Sequence, residues 1–214
     1  MGNIEFELYR VAIRSKSLFR NIDLKQIMDT FKTVGYSLKV ASPILTPVSD
    51  EYNIRVNAPV LQKAEMIIDV NSDVNSIGII GNNLDNLIKE IEDVFIPKIS
   101  EIPSFYRNIW FYEIQLKIKI NEKVHSTFKN IKKFEIRKTI GIIEGIDDKM
   151  NVHGITLWNT DNPDTENFTE VKLSSDIHNP ELMIYQIIMR RKQEIDFIES
   201  VKKMKQNLSS YPLP

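Results

Sequence analysis

The hydrophobic pattern opens as a strand. Ile4, Phe6 and Leu8 alternate with Glu5 and Glu7, and the phase then shifts to Tyr9, Val11 and Ile13, which predicts a bulge or a strand covered on both faces. The period then lengthens. Asp23 and Gln26 form a capping box, Leu24, Ile27, Met28, Phe31 and Val34 share one helical face, and Gly35 supplies a left-handed stop, so a helix is expected. Pro43 and Pro47 make 36–50 a connection with at most a short strand at 38–41. Strands at 51–57, 63–70 and 75–81 should form an antiparallel meander, the middle one setting Ala64, Met66, Ile68 and Val70 against Glu65 and Asp69. Asn83 is placed to cap a second helix carrying Leu84, Leu87, Ile88, Ile91, Val94 and Phe95, with Pro97 as its end.

Pro97 and Pro103 mark 97–108 as a boundary between two halves, 1–98 and 104–214, packed as one compact unit. Directly after it, Ile114, Leu116, Ile118 and Ile120 alternate with Glu113, Gln115, Lys117 and Lys119, a strand with one core face and one wet face. Asn121 opens a short helix bearing Val124, Phe128 and Ile131, and strands are expected at 134–146, 151–160 and 168–174. Asn179 and Pro180 read as a cap and first turn. They open the longest predicted helix, with Ile184, Ile187, Ile188, Ile195 and Ile198 on one side. It should run to about residue 206, roughly 40 Å.

The fold class is therefore α+β: an antiparallel sheet backed by helices, in two similar β-α-β-β-β-α halves, with a long C-terminal helix. This order resembles the TATA-binding-protein-like architecture, in which each half places a long helix on one side of a curved antiparallel sheet. The resemblance is one of element order. It implies a fold and carries over no functional residue.

Composition narrows the chemistry. The 214 residues are 42% hydrophobic and 27% charged, the profile of an ordered chain. The 28 Lys and Arg against 29 Asp and Glu leave a net charge of -1, so affinity for an anionic partner has to come from a local patch. The absence of Cys excludes disulfides, thiolate metal sites and a Cys nucleophile. Residues 1–7 lack the basic and apolar regions of an export signal, and no run approaches a membrane span, so a cytoplasmic protein with no membrane partner is expected.

Catalytic vocabulary is sparse. His125, His153 and His178 stand too far apart for a helical zinc pair. Asp147 and Asp148 follow the predicted strand ending at Ile146 and could bind magnesium, although a polar hairpin turn is the simpler reading. Asp161, Asp164 and Glu166 sit in a loop without the glycine and distal glutamate of a calcium loop. Gly78 and Gly81 belong to no phosphate-loop pattern. No cofactor or metal site is expected.

The clearest local bias is basic. Between 117 and 138, Lys117, Lys119, Lys123, Lys129, Lys132, Lys133, Arg137 and Lys138 meet only Glu122 and Glu135. Lys117, Lys119, Lys129, Lys132, Lys133, Arg137 and Lys138 are the candidate residues for binding a partner or nucleic acid. Trp110, Phe111 and Tyr112, with Phe105 and Tyr106, are a base-stacking platform beside them or, as is commoner for aromatics leading into a strand, core or interface residues. On the last helix, Glu199 and Lys203 have the i, i+4 spacing of an exposed ion pair.

The functional expectation is a non-enzymatic binding or assembly protein that engages a macromolecular partner, or a second copy of itself, through an open sheet face or the C-terminal helix. Two alternatives are a nucleic-acid binder using the basic 117–138 surface and a metal-dependent hydrolase or nuclease using carboxylates.

Overall fold

The computed structural model describes residues 4–16, 21–39, 46–47, 54–55, 57–121, 154–159, 166–175 and 182–210. Among these residues the frame is a nine-stranded antiparallel sheet. The strands are β1 (Ile4–Ser15), β2 (Ser37–Leu38), β5 (Asn57–Lys63), β6 (Met66–Asn71), β7 (Ser76–Gly81), β8 (Ile109–Asn121), β9 (Gly154–Trp158), β10 (Phe168–Ser175) and β11 (Leu182–Arg191). A separate ribbon pairs β3 (Thr46–Pro47) with β4 (Ile54–Arg55). Across the large sheet the order is β2-β5-β6-β7-β1-β8-β11-β10-β9. The first long strand of each sequence half is central, and outward from that pair the two sides run β7-β6-β5 and β11-β10-β9.

The helices are α1 (Asn21–Lys32), α2 (Leu84–Glu90), α3 (Ile96–Ser100), α4 (Pro103–Tyr106) and α5 (Glu194–Ser210). Gly35 at φ 91° ends the α1 region as its sequence requires, and the Asn83 side chain accepts from the Asn86 amide at the start of α2. Pro97 does not stop the second helix. A π-turn at Ile91–Phe95 intervenes, in which the Ile96 amide reaches back to the Ile91 carbonyl, and the chain continues as α3 with Pro97 in its first turn.

One face of the sheet meets these helices. Tyr9, Val11 and Ile13 of β1, Ile68 and Val70 of β6, Ile77 and Ile79 of β7, Ile114, Leu116 and Ile118 of β8 and Met189 of β11 join Ile27, Phe31, Leu87, Phe95, Ile99, Phe197 and Val201 in one core. Phe31 packs on Tyr36 and Phe95 at 5.6 and 5.8 Å between ring centres, and Tyr112 stacks on Phe197 at 5.6 Å.

The longest predicted helix is corrected. Residues 182–191 form β11, fully paired with β8 and β10, and the helix begins only at Glu194. Ile184, Ile187 and Ile188 have a spacing compatible with either element. Because β11 lies inside the sheet, with Met183 and Met189 buried and Ile184 and Ile188 half-buried on the opposite face, both faces take apolar residues and period-two alternation is lost. The 63–70 strand is corrected too. Lys63 ends β5, Ala64 adopts φ 50°, and β6 starts at Met66. Among the described residues no helix is long and apolar enough to cross a membrane.

Candidate functional site

Strand alternation sends every second side chain to the face opposite the described helices, and the register lines these side chains into rows across the sheet. One row runs Asp69, Gly78, Ala12, Glu113, Arg190, Phe168 over six strands. Its neighbour runs Ile80, Arg10, Gln115, Ile188, Glu170, Trp158. The next joins Leu8, Lys117, Gln186, Lys172 and Thr156. On the other flank, Ser76, Arg14 and Phe111 share a row.

Glu113 is the centre of this ladder. Its residue is 0% exposed, although the sequence pattern placed it on a wet face. The Arg190 Nε donates to its Oε2 at 2.5 Å, the Gln115 amide donates to its Oε1 at 2.6 Å, and the Arg14 guanidinium lies 3.9 Å away. A buried carboxylate is tolerated only with such compensation. Arg190 is also sandwiched between the rings of Phe111 and Phe168, at 4.6 and 4.8 Å, and Arg14 lies 5.6 Å from Phe111. Burial holds the Arg14 pKa below its ordinary value. Glu113 opposes that shift, while Arg190 and Arg10 add to it.

Arg10 and Asp69 form the second unit, with Nη2 2.7 Å from Oδ2 and Nε 3.1 Å from the same oxygen. The pair reaches diagonally over Gly78. A Cβ at Gly78 would sit 2.2 Å from Asp69 Oδ1 and 2.8 Å from Arg10 Nη2, so only glycine leaves space for this bridge.

Further out, Glu170 accepts from the Trp158 indole at 2.7 Å and meets Lys172 at 2.9 Å. Its pKa is lowered chiefly by the Lys172 hydrogen bond, with burial opposing and Trp158 assisting. At the Arg14 end, three buried side-chain atoms, Arg14 Nε, Asn75 Oδ1 and Ser76 Oγ, have no hydrogen-bond partner among the described residues. Polar capacity is left over there.

Of the sequence-derived binding residues, Lys117 and Lys119 lie on the same face as Arg10 and Gln115. Lys129, Lys132, Lys133, Arg137 and Lys138 fall outside the described residues, as do His125, His153, His178, Asp147, Asp148, Asp161 and Asp164. Glu166 accepts from Trp110 at 2.9 Å and pairs with Lys192 at 2.7 Å, and these bonds, Lys192 first, lower its pKa. Among the described residues no group of three or more His, Asp or Glu gathers as a metal ion would require.

The aromatic platform is divided by alternation. Phe111 lies on the ladder face beneath two guanidinium groups, whereas Tyr112 belongs to the core and Phe105 is buried in it. Burial, aided by Glu194, raises the Tyr112 pKa.

Sequence reading missed Arg10, Arg14, Asp69 and Arg190. Arg10, Ala12 and Arg14 do carry a signal, since two arginines at period two on a strand must share a face. The described charged residues of the ladder rows, with Lys119, are Arg10, Arg14, Lys117, Lys119, Lys172 and Arg190 against Asp69, Glu113 and Glu170, so cationic groups outnumber anionic ones among the described residues of this face. The chain matches no protein-family model and no curated protein sequence.

Proposed function

We propose that this protein is a non-enzymatic binding module that engages an anionic macromolecular partner through the face of its sheet opposite the described helices. The observation that carries the reading is the ladder, in which Asp69, Glu113 and Glu170 are each held by a cationic side chain and, among the described residues, cationic groups outnumber anionic ones. Fixed guanidinium groups on a sheet are preorganised for a partner's carboxylates or phosphates, because their ordering cost is met during folding.

The C-terminal helix is the weaker candidate surface. Phe197 and Val201 of α5 are in the core, Ile198 and Met204 pack against it, and Lys202 and Lys205 reach across to Glu92 of the π-turn and Asp85 of α2. The ion pairs of this helix are thus made by Lys202 and Lys205 to neighbouring elements.

The test is affinity purification from the native host with mass spectrometry and nucleic-acid detection, using the wild type and a Lys117→Glu, Lys119→Glu, Lys172→Glu variant. The reading expects a captured partner that the variant loses; identical capture by both would refute it.

Nucleic acid is the second reading, favoured by Lys117 and Lys119 extending the arginine ladder. It expects oligonucleotide affinity that falls steeply with salt, and falls further when Lys132, Lys133 and Arg137 are neutralised together.

A further inference from the structure

On the helical side of the sheet, α5 runs antiparallel to the α2–α3 segment. Its Lys202 pairs with Glu92 of the π-turn at 2.5 Å and its Lys205 with Asp85 of α2, so partners run back along one segment as α5 runs forward. Beyond the Glu92–Lys202 pair, between α3 and the first turns of α5, lies a trough of about 600 Å³. Its apolar lining is Ile96 and Pro97 of α3, Ile195 and Ile198 of α5 and Tyr106 of α4. Ile195 is 70% exposed and Tyr106 43%, so two large apolar side chains stand in water at one concavity. Single exposed apolar residues are ordinary, whereas a cluster around a concavity marks a docking site. The π-turn supplies one wall through Glu92, and such interruptions of a helix recur at functional sites.

The charged part of the lining has one sign. Glu92, Glu194 and Glu199 border the trough, and none of its described lining residues is basic. Lys202 takes up the charge of Glu92. Glu194 meets the neutral Tyr112 phenol at 3.3 Å, Glu199 is exposed, and neither forms an ion pair among the described residues. Two negative charges therefore flank the apolar surface without a cation to offset them.

We propose that this trough seats a basic amphipathic helix of a partner protein, with aliphatic side chains between α3 and α5 and Lys or Arg at its edges against Glu194 and Glu199. Charge complementarity selects the sign of the occupant. Exposure selects its size: with Ile195 largely in water, the occupant has to bring its own cover, which a helix laid along the trough does and a small amine does not. From Glu92 to Ser100 the trough is about 12 Å long at 1.5 Å per residue, which matches about two turns of a seated helix. The flanks of α3 and α5 offer no free main-chain groups, because those are paired inside each helix. A helix, which pairs its own, fits better than an extended peptide. The trough lies across the sheet from the cationic ladder and takes a partner of opposite charge, so the protein has two docking surfaces of opposite sign.

The test is fluorescence anisotropy of the full chain with a labelled synthetic helix of about 15 residues, leucine forming one stripe at helical spacing and lysine filling the rest. One control peptide has the same composition shuffled to break the stripe, and another replaces lysine with glutamate. The wild type is expected to bind the first peptide saturably and both controls about tenfold more weakly or worse. Ile195→Ser and Glu199→Lys alter exposed side chains, so their circular dichroism spectra should be unchanged. Ile195→Ser should weaken binding by about tenfold, and Glu199→Lys by about fivefold. Glu199→Lys should also bind the glutamate peptide better than the wild type does. Absence of saturable binding, equal binding of the shuffled peptide, or equal binding by wild type and both variants would overturn the inference. Spermine binding that both variants lose, without binding of the helical peptide, would assign the trough to a small polyamine and overturn it as well.

Discussion

Arg190 of β11 stands directly opposite Glu113 of β8, its Nε 2.5 Å from a carboxylate that solvent does not reach. Both strands are interior to the sheet, and the Glu113 side chain is fully buried while that of Arg190 keeps partial access to solvent. Removing one partner leaves the other charge uncompensated, which is why such pairs are costly to break even where their net contribution is small.

Glu113→Ala should therefore destabilise the protein by about 3–5 kcal/mol, the range for breaking a buried ion pair. Glu113→Gln, which keeps an acceptor for Arg190 but not the charge, should cost less. Urea unfolding followed by circular dichroism gives the midpoints. A cost for Glu113→Ala within the scatter of ordinary surface substitutions would contradict this account of the ladder.

Gly78→Ala forces a methyl into the space under the Arg10–Asp69 bridge. The expected loss is about 1–3 kcal/mol, as for other overpacking changes. In an Asp69→Ala background the nearest obstacle is gone and the penalty should fall sharply, so the double-mutant cycle should show coupling. Additive losses would mean that the glycine is required for another reason.

Alkaline pH should weaken the fold through two tyrosines. Burial, together with the Glu90 hydrogen bond at 2.9 Å, raises the Tyr36 pKa, and burial with Glu194 raises that of Tyr112. A raised tyrosine pKa favours the neutral phenol in the folded state. Its contribution is complete below the unfolded value of about 10 and declines as pH rises above it. Stability measured between pH 9 and about 11 should fall less steeply in Tyr36→Phe than in the wild type. Equal slopes would show that Tyr36 ionises in the fold as it does in the unfolded chain.

Local patterning revealed local structure well. The alternation in β8, the stripe and glycine stop of α1 and the Asn83 cap all depend on neighbours within a few residues. The second half of the chain was harder. An apolar run buried on both faces has no distinctive period, which is how Leu182–Arg191 came to resemble part of the following helix. That one substitution of helix for strand hid the site as well. Glu113 reads as a wet-face residue until Arg190 is known to lie beside it, and the register joining positions 77 residues apart is not a property of either segment alone.

The most direct test of the central claim is site-specific photo-cross-linking in the native host. A photoreactive residue at Gln186 or Lys172 lies exposed on the ladder face, and one at Lys203 lies exposed on α5. The account predicts a cross-linked partner from positions 186 and 172 and none from 203. Adducts from Lys203 with none from the ladder face would contradict it.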